Sequence, residues 1–183
     1  MRRHGLVLAL VCVFSLPAIA APAFVADTPV LLTSAGQSAD FQIVKIILDR
    51  LKVPATVKAL AKPEDLKDVK TLLVAIGGST KGLGAAGIDA DEELARIQSV
   101  LSRAKDVHLK VLSLHIGGAA RRGELSDRFI ASVIPKSDYV VVLADGNTDG
   151  LFTKLTGQAK VSLETTERLT DVEAVLRRIF RVK

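Results

Sequence analysis

Four apolar runs of strand type in this chain each end in a glycine-punctuated turn and are followed by a helical period. The turns are Ser34 to Asp40 (S-A-G-Q-S-A-D), Gly77 to Gly87 (G-G-S-T-K-G-L-G-A-A-G), His115 to Gly123 (H-I-G-G-A-A-R-R-G) and Asp145 to Gly150 (D-G-N-T-D-G). A strand, a turn and a helix recur in this order where parallel strands are joined by crossovers. A parallel sheet gathers such turns along the edge where its strands end, which is where a ligand sits in open α/β sheets. The pattern therefore locates a site without naming a reaction.

The periods between the turns fill in the layers. Val30 to Ser34 reads as a strand, and Asp40 to Leu51 then places Phe41, Val44, Leu48 and Leu51 on one helical face. Ala55 to Leu60 follows Pro54 and carries Lys58, as an edge strand would. After a single turn at Pro63 to Lys67, Thr71 to Ile76 is a continuous apolar run, typical of a strand covered on both faces. Asp89 and Glu92 have capping-box spacing ahead of a helix with an apolar stripe at Leu94, Ile97, Leu101 and Ala104. Two further cycles follow: Val111 to Ile116 with a helix carrying Leu125, Phe129 and Val133, then Tyr139 to Leu143 with a short helix from about Leu151. Lys160 to Leu163 reads as the last strand. The final helix turns Val172, Val175, Leu176 and Ile179 inward, and Arg177, Arg178, Arg181 and Lys183 complement its C-terminal dipole.

This alternation predicts a three-layer, flavodoxin-like or Rossmann-like α/β domain with a mainly parallel sheet of five to six strands. The short link from the second strand to the third predicts the order 2-1-3-4-5 with a sixth strand added. The switch point then lies between strands one and three, flanked by the first two glycine turns.

Residues 1–20 stand apart from the fold. Arg2, Arg3 and His4 precede an apolar run from Leu6 to Phe14 and a small-residue site at Ala18-Ile19-Ala20, the order of a secretory signal peptide. Cleavage after Ala20 leaves 183 − 20 = 163 residues, the length of one domain spanning 21–183. Cys12 is the only cysteine and leaves with the signal, so the mature chain has no disulfide. Removing Arg2 and Arg3 leaves 23 basic against 20 acidic residues, net +3 with the signs interleaved. That mild excess is not the footprint of a nucleic-acid binder. The expectation is a periplasmic or secreted protein with no stable membrane anchor after cleavage.

Each turn offers candidate chemistry. Ser34, Gly36, Gln37 and Ser38 precede a helix start and offer N–H and hydroxyl donors to an anion, as do Gly77, Gly78 and Ser79. Lys81 adds a point charge in an eleven-residue loop whose glycines admit a small ligand. His115, at a strand end before two glycines, is the candidate acid–base group. Of the pair Arg121 and Arg122, at least one is expected to be solvated, and the other could fork onto a carboxylate or phosphate.

Other chemistries fit poorly. Gly82, Gly84 and Gly87 satisfy G-x-G-x-x-G, but the stretch follows the third strand and lacks an acidic residue at the end of the next one. Asp145, Asn147 and Asp149 match the first half of a calcium loop, yet Thr156 stands at position twelve in place of the bidentate glutamate, so at most weak binding is expected. The mature chain has two histidines and no cysteine, which is poor for zinc. The four turns hold no Trp or Tyr to stack on a flavin. No cofactor is expected.

The segments T-S-A-G-Q-S-A-D (Thr33 to Asp40), G-G-S-T-K-G-L-G-A-A-G-I-D (Gly77 to Asp89), H-I-G-G-A-A-R-R-G-E-L-S-D (His115 to Asp127) and D-G-N-T-D-G-L-F (Asp145 to Phe152) resemble a family of exported bacterial proteins known only as a domain of unknown function. The resemblance covers nearly all of the mature domain and implies no activity. The residues themselves favour a small anionic ligand at the C-terminal edge of the sheet. The alternatives are a hydrolase or transferase using His115 with Ser34 or Ser79, and a protein-interaction module whose loops form a docking face for an unidentified partner.

Overall fold

The computed structural model describes residues 24–182. Residues 1–20, expected from the sequence to be a signal peptide, and Cys12 within them lie outside the described residues. Six strands form one all-parallel sheet: β1 (Val30–Ala35), β2 (Ala55–Val57), β3 (Thr71–Ile76), β4 (Lys110–His115), β5 (Tyr139–Leu143) and β6 (Ser162–Thr166), in the order β2-β1-β3-β4-β5-β6. The helices are α1 (Asp40–Arg50), α2 (Thr80–Ala86), α3 (Ala90–Asp106), α4 (Glu124–Val133), α5 (Leu151–Ala159) and α6 (Leu169–Ile179). This is the flavodoxin-like arrangement, with the sheet parallel throughout.

The chain steps one way from β1 to β2 and the other way from β3 to β6. Because crossovers share one hand, the two directions put their helices on opposite faces. Accordingly α1 packs with α6 against Val30, Leu32, Leu73, Leu112 and Val141, while α3, α4 and α5 cover Leu31, Leu72, Val74, Ile76 and Val140. Each of these strand residues is fully buried, which explains the unbroken apolar runs. Burying one such side chain contributes roughly 1.5–3 kcal/mol. β1 and β3 are in register from Val30↔Thr71 to Ala35↔Ile76, so their C-terminal ends finish level.

Four local expectations are corrected. β2 is only three residues long, because after Val57 the chain is held by single bonds: Lys58 N donates to Leu32 O and the Thr33 hydroxyl to Ala59 O. β6 runs two residues later than its apolar content suggests, placing Thr166 and not Lys160 in the sheet. The supposed eleven-residue loop is mostly helix. Ser79 Oγ caps α2 by accepting from Gly82 N (3.0 Å), and Gly87 ends it in the left-handed region at φ 69°. In α3 the buried stripe is Glu93, Ile97, Val100, Leu101 and Ala104, with Leu94 only partly buried. The Asp89–Glu92 capping box forms as its spacing predicts, with Glu92 accepting from Asp89 N at 2.9 Å.

Candidate functional site

The four glycine turns meet at the C-terminal edge of the sheet. Gln37 forms an antiparallel bridge with Gly78, joining the first two turns. The third and fourth meet where Asp145 lies over Gly118 and where Gly146 approaches the His115 ring. Their glycines fit loop against loop. A Cβ on Gly36 would lie 2.5 Å from Gly77 O and 2.7 Å from Phe129 Cδ2, and one on Gly78 would lie 2.7 Å from Leu125 Cγ.

These contacts use the donors that the sequence offers to an anion. Gly36 N donates to Glu93 Oε1 (2.9 Å), Gln37 N to Ser34 Oγ (3.0 Å) and Ser38 N to Gly77 O (3.1 Å). Gly77 N donates to Ala35 O (2.9 Å), Gly78 N to Ser126 Oγ (2.9 Å) and Ser79 N to Gly36 O (2.8 Å). All six candidate N–H groups are therefore bonded inside the fold. Ser34 and Ser79 use their hydroxyls as acceptors for the backbone, and Ser38 donates to Asp40 Oδ2 at 3.1 Å. The backbone cradle expected from the sequence is closed.

What closes it is a buried ion pair. Glu93 is fully buried and takes bonds from Gly36 N, Gln37 Nε2 (2.9 Å) and both Nε (2.7 Å) and Nη2 (2.9 Å) of Arg96. Arg96 in turn donates to Ser34 O (2.6 Å) and Ala61 O (2.8 Å). A buried carboxylate is tolerated when it is paired and its lone pairs are filled, which this arrangement achieves. Neither residue was singled out from the sequence; the available signal was an acidic residue on the apolar stripe of α3, with an arginine three positions on.

The charged candidates separate. Lys81 is exposed on α2 and makes no hydrogen bond or ion pair among the described residues. Arg122 is only 13% exposed and is fully engaged: it donates to Asp127 (2.7 Å), Asp149 (2.8 Å) and Gly146 O (2.5 Å), and lies over the Phe152 ring. Hydrogen bonds from Arg122 hold both aspartates below the usual carboxylate range. Arg122 is thus a brace between the third and fourth turns, forked onto two carboxylates of the protein itself. Arg121 behaves differently. Its Nε faces Asp40 Oδ2 at 3.7 Å, too far for a hydrogen bond, its Nη groups bond to nothing described, and the side chain is 38% exposed.

His115 is fully buried against Phe152, with ring centroids 5.1 Å apart. Its Nδ1 lies 3.1 Å from Ile76 O and its Nε2 3.3 Å from Gly118 O, so no hydroxyl is hydrogen-bonded to it among the described residues. Burial pushes its pKa below the ordinary value, with the two carbonyls and Asp40 opposing that shift and Arg122 adding to it. In the fourth turn, Asn147 Oδ1 accepts from Phe152 N (2.9 Å) and Asp149 Oδ1 from Leu151 N (3.1 Å), so two of the three calcium-loop candidates serve α5 as caps. Asp145 points to Gly118. No group of three His, Cys, Asp or Glu side chains is placed to hold a metal ion among the described residues.

The β1/β3 switch point holds Asp40, which the sequence showed only as the first residue of a helix. Its side chain is 7% exposed and sits between two strand ends that lack a Cβ. A Cβ on Gly117 would lie 2.5 Å from Asp40 Oδ2, and one on Gly77 would lie 3.3 Å from it. The same Gly117 position receives the aliphatic stem of Arg121.

The family match spans this whole arrangement, from residue 27 to residue 180. The chain belongs to the family described as a domain of unknown function (DUF6305). This agrees with the resemblance carried by the four turns. None of the curated proteins compared with the chain matches it. The family description supplies no activity. No helix among the described residues is long and apolar enough to cross a membrane.

Proposed function

We propose that the protein is an exported binding protein for a small ligand with a carboxylate or phosphate group, held at the switch-point crevice by Arg121. The observation that carries this reading is the contrast between the two neighbouring arginines. Arg122 is saturated, whereas Arg121 has an open fork of Nη donors at the edge where α/β sheets take ligands. A planar guanidinium with free donors suits bidentate capture of an oxyanion. Export is part of the proposal and rests on the order of basic, apolar and small residues in 1–20. A hydrolase or transferase would need an accessible base, and His115 is enclosed.

Thermal melting in increasing phosphate, sulfate or acetate tests the reading. A ligand that binds only the native state raises the Tm by mass action, and the gain should weaken as inert salt is added. Arg121→Ala should remove the gain, with some loss of Tm in the unliganded protein because Asp40 loses its facing guanidinium. Lys81→Ala should leave the gain in place. A flat response of the unaltered protein to all three anions would reject the proposal.

A further inference from the structure

Asp40 fits the anion reading least well, and it narrows the ligand. A buried carboxylate is costly unless a cation or several donors answer it. Asp40 has one hydroxyl bond, from Ser38 to Oδ2, and a guanidinium 3.7 Å away. Its position in the first turn of α1 gives it the favourable end of the helix dipole. Oδ1 accepts no hydrogen bond among the described residues, and the side chain is only 7% exposed. The carboxylate therefore carries an unfilled acceptor at this edge, next to the unfilled donors of Arg121.

We propose that the crevice binds α-amino acids, or a ligand ending in the same pair of groups, with Asp40 taking the ammonium and Arg121 the carboxylate. The inference rests on the anion-binding reading and specifies its ligand class. In an α-amino acid a single carbon separates the two charged groups, which matches an acid and a base placed side by side. An ammonium brings three donors and a positive charge to Asp40, and a carboxylate accepts both ends of a guanidinium fork. A plain oxyanion would satisfy Arg121 but meet Asp40 as a like charge, and a plain amine would do the reverse. The missing Cβ atoms at Gly77 and Gly117 let the Asp40 carboxylate pack closely against the backbone that follows β3 and β4, with the Arg121 stem against Gly117. Asp145, exposed over Gly118, adds negative charge to the same rim.

The experiment compares matched pairs on the unaltered mature protein by thermal shift and calorimetry: alanine with propionate, glutamate with glutarate, phenylalanine with 3-phenylpropionate, and inorganic phosphate alone. At least one amino acid should bind with an affinity on the order of tenfold or more above its deaminated partner, the scale of one lost charge-assisted contact. Asp40→Asn should erase that preference and improve binding of the deaminated acid, while Arg121→Ala should weaken both members of the pair. If the deaminated acids or phosphate bind as well as every amino acid, the amino-acid inference fails and the anion reading stands. If neither series nor phosphate binds, both fail. Retention of amino-acid binding in Arg121→Ala would also overturn the inference. Should Asp40→Asn not fold, the matched pairs on the unaltered protein decide alone.

Discussion

The two edges of the sheet differ in a way the glycine content alone would misrepresent. At the C-terminal edge the glycines bring loops into contact, and six candidate backbone donors are bonded within the fold. At the N-terminal edge, where β3 and β4 begin, a hollow of ≈ 910 Å³ opens between Lys67, Lys70, Arg103, His108 and Lys110 on its basic side and Asp27, Glu64 and Asp68 on its acidic side. Its charges nearly balance, and Lys110 is already paired with Asp27 at 2.7 Å. The C-terminal edge holds a buried carboxylate with an unfilled oxygen, and the N-terminal edge holds solvated side chains. Chemical incompleteness, more than volume, separates a candidate site from a surface hollow.

That contrast breaks most sharply at Glu93. Replacing it with Ala would strand Arg96, Gly36 N and Gln37 Nε2 without their shared acceptor, and breaking one side of a buried pair costs about 3–5 kcal/mol. Arg103→Ala, at the opposite edge and with no described partner, should change stability by less than about 0.5 kcal/mol. Urea titration of both variants measures the difference. Equal effects would mean that the C-terminal edge is not clamped.

Gly36 sharpens the comparison within a single residue type. Its φ of +99° is strained for any side chain, and a Cβ there would overlap Gly77 O, so Gly36→Ala should cost about 2–3 kcal/mol. Gly84 lies inside α2 with nothing within 4 Å of its added Cβ. Gly84→Ala should stabilise by about 0.5–1 kcal/mol through helix propensity. Opposite signs in the same denaturation assay are expected; a loss at both positions would show that α2 depends on its glycines.

How far the sequence reveals this follows from the range of each interaction. The strands, the sheet order and the capping box depend on local pattern and were readable from it. Helix α2 was missed because its glycines suggest a loop, although Ser79 and Gly87 are serviceable caps at its two ends. The occupied donors were not readable at all. Gly36 N meets an acceptor 57 positions away and Gly78 N one 48 positions away, and no local pattern announces such pairings. For the same reason His115 stood out for its chemistry while its enclosure did not show, and Asp40 looked like an ordinary helix start.

The smallest effect compares the two histidines, one at each edge. His108 is exposed in the turn before β4, and His115 is buried at the end of β4 between two carbonyl oxygens. A neutral ring carries one N–H and can donate to only one of those carbonyls, yet burial still outweighs them and lowers its pKa. The ordinary value, which the unfolded chain adopts, is 6.5. Below that pH the unfolded state binds a proton that the folded state does not, so stability falls on acidification and recovers above it. One such proton gives a slope of at most about 1.4 kcal/mol per pH unit. The window opens near pH 6.5 and runs down to the lower folded-state value. Urea titrations at successive pH values should show this slope in the unaltered protein and in His108→Gln, and a flatter one in His115→Gln. A slope that survives in His115→Gln would assign the acid sensitivity elsewhere and remove the buried ring as the feature that distinguishes the two edges.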